Sequence, residues 1–479
     1  MQFTSYSYLF LLALAAGLFW AMPQGLRRGY LLGLSLLFYA TWNPWFLAAP
    51  LAICAATYFC ARLMISRPEK TRVWLWSGIA LVLALLGFFK YGAFFAANLN
   101  AAIAAMGAVP ANTHWGGRII LPLGISFYSF EAISYLVDVR QKRLANVNFP
   151  DLCLFILFWP HLVAGPIVRA RELIPQFRFH KVWEPRFLTQ GMDRVVWGLV
   201  QKNLVANNLS SWVDSGFIPA SASLNSTMDN WFLAAAFGLQ IYFDFAAYSN
   251  LAIGAALLLG ISLPENFRQP YHAGTPPEFW SRWHMTLSRW IRDYIFFPVN
   301  SRYKSNPLQL YFSFLWIMAL VGLWHGAGWG FILWGLMHGF YLLVYRWYES
   351  RKGEGESPVW TRLAWRGFTL LAVIAAWIPF RAASLAQAMV MLRSMFLLHF
   401  KPGLSFSVNF YLIVMMISLF CVAERYLGRL AQRLDTEIES RWHSSVASML
   451  LARPLLYALG IILFMVFDDR DTQFIYFQF

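Results

Sequence analysis

Of the 479 residues, 59% are hydrophobic and 13% charged, about half the charged share of an average soluble domain, which leaves too little polar surface to cover a water-soluble fold. Lys and Arg number 38 against 23 Asp and Glu; in a membrane protein that excess belongs to cytoplasmic loops, so nucleic-acid binding is excluded as the main role. Cys54, Cys60, Cys153 and Cys421 lie in apolar runs without metal-ligand spacing and read as packing residues, so no metal site or redox chemistry is expected.

The first apolar run, 8–22, has no basic residue ahead of it, unlike a cleavable signal peptide, and is predicted to be an uncleaved span with its N-terminus outside. Arg27 and Arg28, then the cluster from Arg62 to Arg72, mark cytoplasmic loops joined by a hairpin of runs 30–42 and 45–61, broken at Asn43-Pro44. The run 73–97 leads out to 98–117, which carries no charge, and 118–138 returns to Arg140, Lys142 and Arg143. Residues 152–166 are apolar but shorter than the ~20 residues of a spanning helix, and basic residues flank them on both sides. They are predicted to be a re-entrant element walled by protein or lining a watery cavity. Runs at 187–207 and 231–262 lead to the most basic stretch, 268–304, and further runs follow at 308–324, 329–347, 366–380, 405–424 and 454–467. The alternation of basic and neutral loops places both termini on the non-cytoplasmic side, with roughly eleven to thirteen membrane-embedded helices.

Four places carry residues that do not belong in lipid. On a helical wheel of 278–297, Trp280, Trp283, Leu287, Trp290, Ile291 and Tyr294 share one face, and Arg282, Arg289, Arg292 and Asp293 the other, which predicts an amphipathic helix at the membrane interface. His284 falls on the Trp face, either satisfied by a neighbouring carbonyl or lining a path. GLWHGAGWG, 322–330, places His325 beside Trp324 and before two glycines, with His338 further on; an imidazole at such a break can present a nitrogen to a cavity and exchange a proton, or simply pack. Asp244 sits mid-span in IYFDFAAYSN and must be neutral, wetted, or paired with Arg or His; it either orients an imidazole or ties two helices together. The C-terminus closes on Asp468, Asp469, Arg470 and Asp471 and then FIYFQF, an aromatic interfacial anchor or a tail that delivers the Tyr476 hydroxyl to a buried site.

LPLGISFYSFEAISYLVDV, FWPHLVAGPIVR, YFDFAAYSNLAIG, ENFRQPYH with EFWSRWHMTLSRWIRDY, GLWHGAGWGFILWGLMHG and the terminal FIYFQF occur in that order. Together they resemble the membrane-bound O-acyltransferase superfamily, in its bacterial alginate O-acetyltransferase-like branch. The resemblance spans nearly the whole chain and implies one membrane-embedded domain, 1–479, with 474–479 as an aromatic tail motif. The implied fold is an all-α polytopic ring of helices around a central tunnel, with re-entrant and interfacial helices. It implies His325 as the catalytic base, His284 as the second family histidine and Tyr476 as an acyl carrier. Asp244, Trp324, Asn250 and His338 would support them, and Arg282, Arg289 and Arg292 would bind the donor. The chain departs from the family's FDFSGYSD at Ala246, Ala247 and Asn250.

Acetyl would enter from a cytoplasmic thioester, acetyl-CoA, with no bound cofactor, and leave for an exopolysaccharide acceptor or a periplasmic acetyltransferase partner in a bacterial inner membrane. The other readings are transfer of a different acyl group such as D-alanyl, or a transporter using His and Asp as a proton relay; a transporter typically carries internal repeats, and this chain shows none.

Overall fold

The computed structural model describes residues 3–107, 120–144, 148–163, 165–178, 181–219, 225–301, 307–353, 355, 357–397, 399, 403–441 and 445–467, with backbone alone at 307, 425–441 and 445–454. Among them every regular element is a helix, as the apolar runs and the resemblance imply. The residues group into two compact units: 1–195, 248–265 and 289–294 form the first, and 196–247, 266–288 and 295–479 the second.

The first unit holds α1 (Tyr6–Ala21), α2 (Gln24–Ala40), α3 (Ala48–Ser66), α4 (Thr71–Leu86), α5 (Gly92–Ala105), α6 (Ile125–Arg140), α7 (Phe149–Leu157), α8 (Ala170–Arg178) and most of α9 (Pro185–Val200). The break between α2 and α3 falls where expected, because the Asn43 side chain accepts from the Trp45 N–H and caps the turn Pro44–Leu47. No break occurs near residue 97: a π-helical segment, Gly87–Tyr91, joins α4 to α5 in one apolar rod. α6 starts later than 118, at Ile125, after Pro122 and Gly124. Gly124 has φ +73, and a Cβ there would strike the Leu162 carbonyl, so this turn requires glycine. α7 covers only nine residues, and the irregular backbone that follows it from Phe158 is buried in protein, which non-helical chain at membrane depth requires. His161 and Glu131, both buried, meet there at 2.8 Å.

The second unit contains a π-helical segment, Gln201–Ala206, then α10 (Asn207–Gly216), most of α11 (Thr227–Leu258), α12 (Pro276–Arg282) and much of α13 (Met285–Ile291). It continues with α14 (Phe297–Asn300), α15 (Pro307–His325), α16 (Trp329–Arg351), α17 (Val359–Arg381), α18 (Leu385–Phe396), α19 (Val408–Arg441) and α20 (Ser445–Phe467).

Among the described residues five helices are long and apolar enough to cross a membrane: Pro44–Ser66, Pro68–Ala105, Thr227–Leu258, Leu308–His325 and Val359–Arg381. They divide by environment. The most apolar window of Pro68–Ala105 is 11% buried and that of Thr227–Leu258 94% buried, so the first turns its surface outward while protein surrounds the second. The second carries Asp244 at mid-span, where packed protein can supply its partner, and Lys90 within the first donates to the Ser126 hydroxyl at 3.3 Å. Trp76 on α4, Leu419 on α19 and Val466 on α20 are each about two-thirds exposed, apolar surface of the kind that faces lipid.

The stretch 278–297 differs from the single interfacial helix its pattern suggests. It breaks at His284, the junction of α12 and α13, and Trp283, Leu287 and Trp290 are buried in protein, at most 3% exposed. The amphipathic division of residues is real, but the aromatic face is core. All four cysteines are buried with free thiols.

Candidate active site

The site is built on the α15–α16 hairpin of the second unit. α15 ends at His325 because Gly326-Ala327-Gly328 follows, and α16 resumes at Trp329. The two helices touch backbone to backbone: a Cβ on Gly322 would collide with the Phe331 carbonyl and one on Gly335 with the Met318 carbonyl. Only glycine permits that approach, and the turn between the helices thereby holds the His325 ring at a fixed depth.

His325 is 3% exposed and walled by rings. Trp324 lies 4.8 Å from it, Trp334 5.1 Å and Phe380 5.5 Å between centroids. His284 comes to 6.5 Å, so the two histidines share one aromatic chamber within a single unit.

His284 reaches that place through an unusual backbone. Its φ is +40, a left-handed conformation that costs a non-glycine residue roughly 1–3 kcal/mol unless its surroundings enforce it. Asn266, fully buried, does so. The Met285 N–H donates to its backbone carbonyl at 2.8 Å, and its side-chain Oδ1 accepts from the Thr286 hydroxyl at 2.8 Å and faces His284 Nδ1 at 3.1 Å. Because the Thr286 N–H also points at Oδ1, the amide is oriented with its oxygen inward, which assigns the proton to Nδ1. Nε2 is then the lone-pair nitrogen, buried with no hydrogen-bond partner among the described residues.

Asn266→Leu therefore removes the acceptor that sets the tautomer. Activity at this site should fall about tenfold or more, the equivalent of one lost buried hydrogen bond, while Asn266→Asp keeps an acceptor and should retain most of it. Steady-state rates on membranes carrying equal amounts of each protein check this.

His338 lies on α16 among Trp334, Trp280, Tyr341 and Phe279, with centroids 4.9, 5.1, 5.6 and 5.8 Å away. It shares Trp334 with His325 as a common neighbour. Asp244 is paired, as a buried carboxylate must be, but its partner is a lysine and not the Arg or His considered from sequence: Lys202 Nζ stands 2.6 Å away, and both side chains are nearly inaccessible. The pair ties α11 to the π-helical segment Gln201–Ala206 within one unit.

Asn250 belongs to the first unit, where it accepts from Arg194 at 2.8 Å, and Arg194 also holds Glu265. Of the three arginines predicted to bind the donor, Arg282 pairs with Glu278 at 2.7 Å, Arg292 with Asp293 at 2.8 Å, and Arg289 donates to the Glu265 carbonyl. Tyr476 and the tail 474–479 lie outside the described residues.

Asn266, Lys202 and Trp334 carry roles that residue-by-residue reading did not assign. Asn266 was within the quoted ENFRQPYH motif; its partner His284 is 18 residues further on, and no periodicity links them.

The family model that matches, described as the membrane-bound O-acyltransferase family, covers residues 121–376 and so includes both histidines. The chain is 38% identical over 402 residues to the probable alginate O-acetylase AlgI of Azotobacter vinelandii, spanning 83% of this chain and 78% of that protein. It is 34% identical over 391 residues to the peptidoglycan O-acetyltransferase of Helicobacter pylori, 75% of this chain and 72% of that one. With the teichoic acid D-alanyltransferase of Bacillus subtilis the identity is 28% over 252 residues, half of this chain and 63% of the relative.

Proposed function

Since this chain belongs to the membrane-bound O-acyltransferase family and is a multi-pass O-acyltransferase, we propose that it moves acetyl from cytoplasmic acetyl-CoA to an exopolysaccharide hydroxyl or a periplasmic acetyltransferase partner. The observation that carries this reading is the pair of buried histidines, 6.5 Å apart, in a chamber walled by Trp324, Trp334 and Phe380. Such a chamber excludes water, which would otherwise hydrolyse a thioester.

In this reading the acceptor hydroxyl oxygen attacks the thioester carbonyl carbon while His325 takes the hydroxyl proton. The tetrahedral intermediate then expels the thiolate, the C–S bond breaks, and the imidazolium returns its proton to the sulfur, leaving an O-acetyl ester and free CoA. The Trp334 indole N–H is buried with no acceptor among the described residues, and its ring meets His325; it is the donor we assign to the carbonyl oxygen. His284, with Nε2 unprotonated, orients the acceptor hydroxyl. The protein sits in a bacterial inner membrane with both termini periplasmic, an orientation supported by the basic loops.

Acetyl is favoured over D-alanyl because the two O-acetyl-transferring relatives match over more of both chains. Mild alkaline release from the envelope polymers of cells expressing the protein should yield acetate. Release of D-alanine instead would overturn the acetyl assignment.

Tyr476 as acyl carrier makes its own demand. Tyr476→Phe keeps the ring but loses the nucleophilic oxygen, so polymer acetylation should drop to background. Full acetylation would leave the tail as an anchor only.

A further inference from the structure

We propose that the cavity between the α1–α2 turn and the segment joining α8 to α9 binds the phosphate of an anionic membrane lipid, whose acyl chains lie along the exposed apolar face of α1. All the lining residues belong to the first unit, and the proposal stands apart from the acyl-transfer reading.

The cavity encloses about 390 Å³, within the range of sites for small organic groups. Arg27, Arg28, Arg178 and Lys181 line it, and among the described residues no carboxylate does. Arg28 and Arg178 share one buried carboxylate outside the lining, Asp151, at 3.3 and 2.7 Å. Arg27 and Lys181 hold backbone carbonyls instead. Arg27 donates to those of Lys181 at 2.9 Å, Met22 at 3.1 Å and Trp20 at 3.2 Å, and Lys181 donates to that of Gly260. A carbonyl satisfies the donors but leaves the charge standing, so the positive charge of the lining exceeds the one carboxylate that faces it. Glu172 and Glu184, the carboxylates on either side of the α8–α9 segment, pair with Arg171 and Arg186. Burial pulls the pKa of Lys181 down to about 8, a cost that an anion in the cavity would offset. Gln24 and Gly25, which open α2, also line the cavity, and the helix dipole adds to the attraction of the cations.

Position selects a lipid over a soluble phosphate. The cavity lies where the apolar run of α1 ends and the first basic residues of the chain follow. Arg27 stands over the Trp20 and Phe19 rings, 5.0 and 5.1 Å from their centroids, and a Trp beside an Arg at the end of an apolar helix marks headgroup depth. Phe10, Leu14 and Leu18, each four residues apart on α1, are exposed and share one helix face. That face ends at Leu18, next to Phe19 in the cavity lining, so chains attached to a phosphate in the cavity have apolar surface to follow. In the orientation proposed above, this end of α1 meets the cytoplasmic leaflet, whose anionic lipids draw Lys and Arg that flank a span.

The test uses the full-length protein in a neutral detergent, with bound lipid counted by native mass spectrometry. Parent, Lys181→Gln and Gln24→Glu proteins are titrated with phosphatidylglycerol, with phosphatidylcholine, whose ammonium cancels the phosphate charge, and with glycerol 1-phosphate, which has no acyl chains. Lys181→Gln keeps a donor for the Gly260 carbonyl and removes the charge. Gln24→Glu adds a carboxylate at an exposed position in the first turn of α2, where it favours the helix, so weaker binding by this variant is not a failure to fold. The parent should bind phosphatidylglycerol about tenfold more tightly than phosphatidylcholine. Each variant should lose about that factor, one charge-assisted contact, while its binding of phosphatidylcholine and its unfolding temperature without lipid stay at the parent's values. A parent that does not distinguish the two lipids, or a Gln24→Glu protein that binds phosphatidylglycerol as the parent does, would overturn the proposal. Glycerol 1-phosphate binding as tightly as phosphatidylglycerol would overturn the lipid as occupant and leave a site for a soluble phosphate.

Discussion

Replacing His325 by alanine is expected to lower acetyl transfer by ~10²- to 10⁴-fold, the range for loss of a general base, while the protein stays inserted. The ring is buried against Trp324, Trp334 and Phe380, so its removal also leaves a hole, and lost packing has to be separated from lost chemistry. His325→Phe makes that separation, because it fills the space and lacks the ring nitrogens. Both variants should be inactive, and the Phe variant should unfold at close to the parent's temperature in detergent. An active Phe variant would show that no proton passes through this ring.

The largest expected stability effect lies at the Lys202–Asp244 pair. Lys202→Met leaves a carboxylate at mid-span in a helix whose apolar window is 94% buried, and removing one member of a buried pair typically costs about 3–5 kcal/mol. The variant should accumulate poorly in membranes and unfold at a markedly lower temperature. The double variant Lys202→Met with Asp244→Leu removes both charges, and buried pairs replaced by apolar residues are commonly neutral or better, so folding should return. If activity returns with it, the pair serves only to tie α11 to the neighbouring segment. If the double variant folds and stays inactive, the pair also acts on the chemistry. Thermal unfolding in detergent and acetyl transfer in the same membranes distinguish the cases.

Much of this was legible in the sequence where the signal is local. Apolar run length marks many of the helices because lipid imposes it residue by residue, and His325 stands out because Gly326 and Gly328 break the helix beside it. The helix break at His284 was not legible: the wheel of 278–297 is amphipathic throughout, and the left-handed turn is imposed by Asn266, distant in the chain. Lys202 and Asp244 are likewise joined only by the fold. The arginines at 282, 289 and 292 drew attention because they cluster in sequence. Arg27 and Arg28 stand far in the chain from Arg178 and Lys181, and only the fold brings them to one cavity. The tail with Tyr476 lies outside the described residues, so its role stands on sequence alone.

The most direct measurement of the central claim uses the purified protein in proteoliposomes, with ¹⁴C-acetyl-CoA outside and a polysaccharide acceptor, with any periplasmic partner, enclosed. The account predicts alkali-labile ¹⁴C on the enclosed acceptor and release of one CoA thiol per acetyl transferred, with both signals absent for His325→Ala. Label reaching the acceptor at the parent's rate in the His325→Ala protein, or acetyl-CoA left intact by the parent, would contradict it.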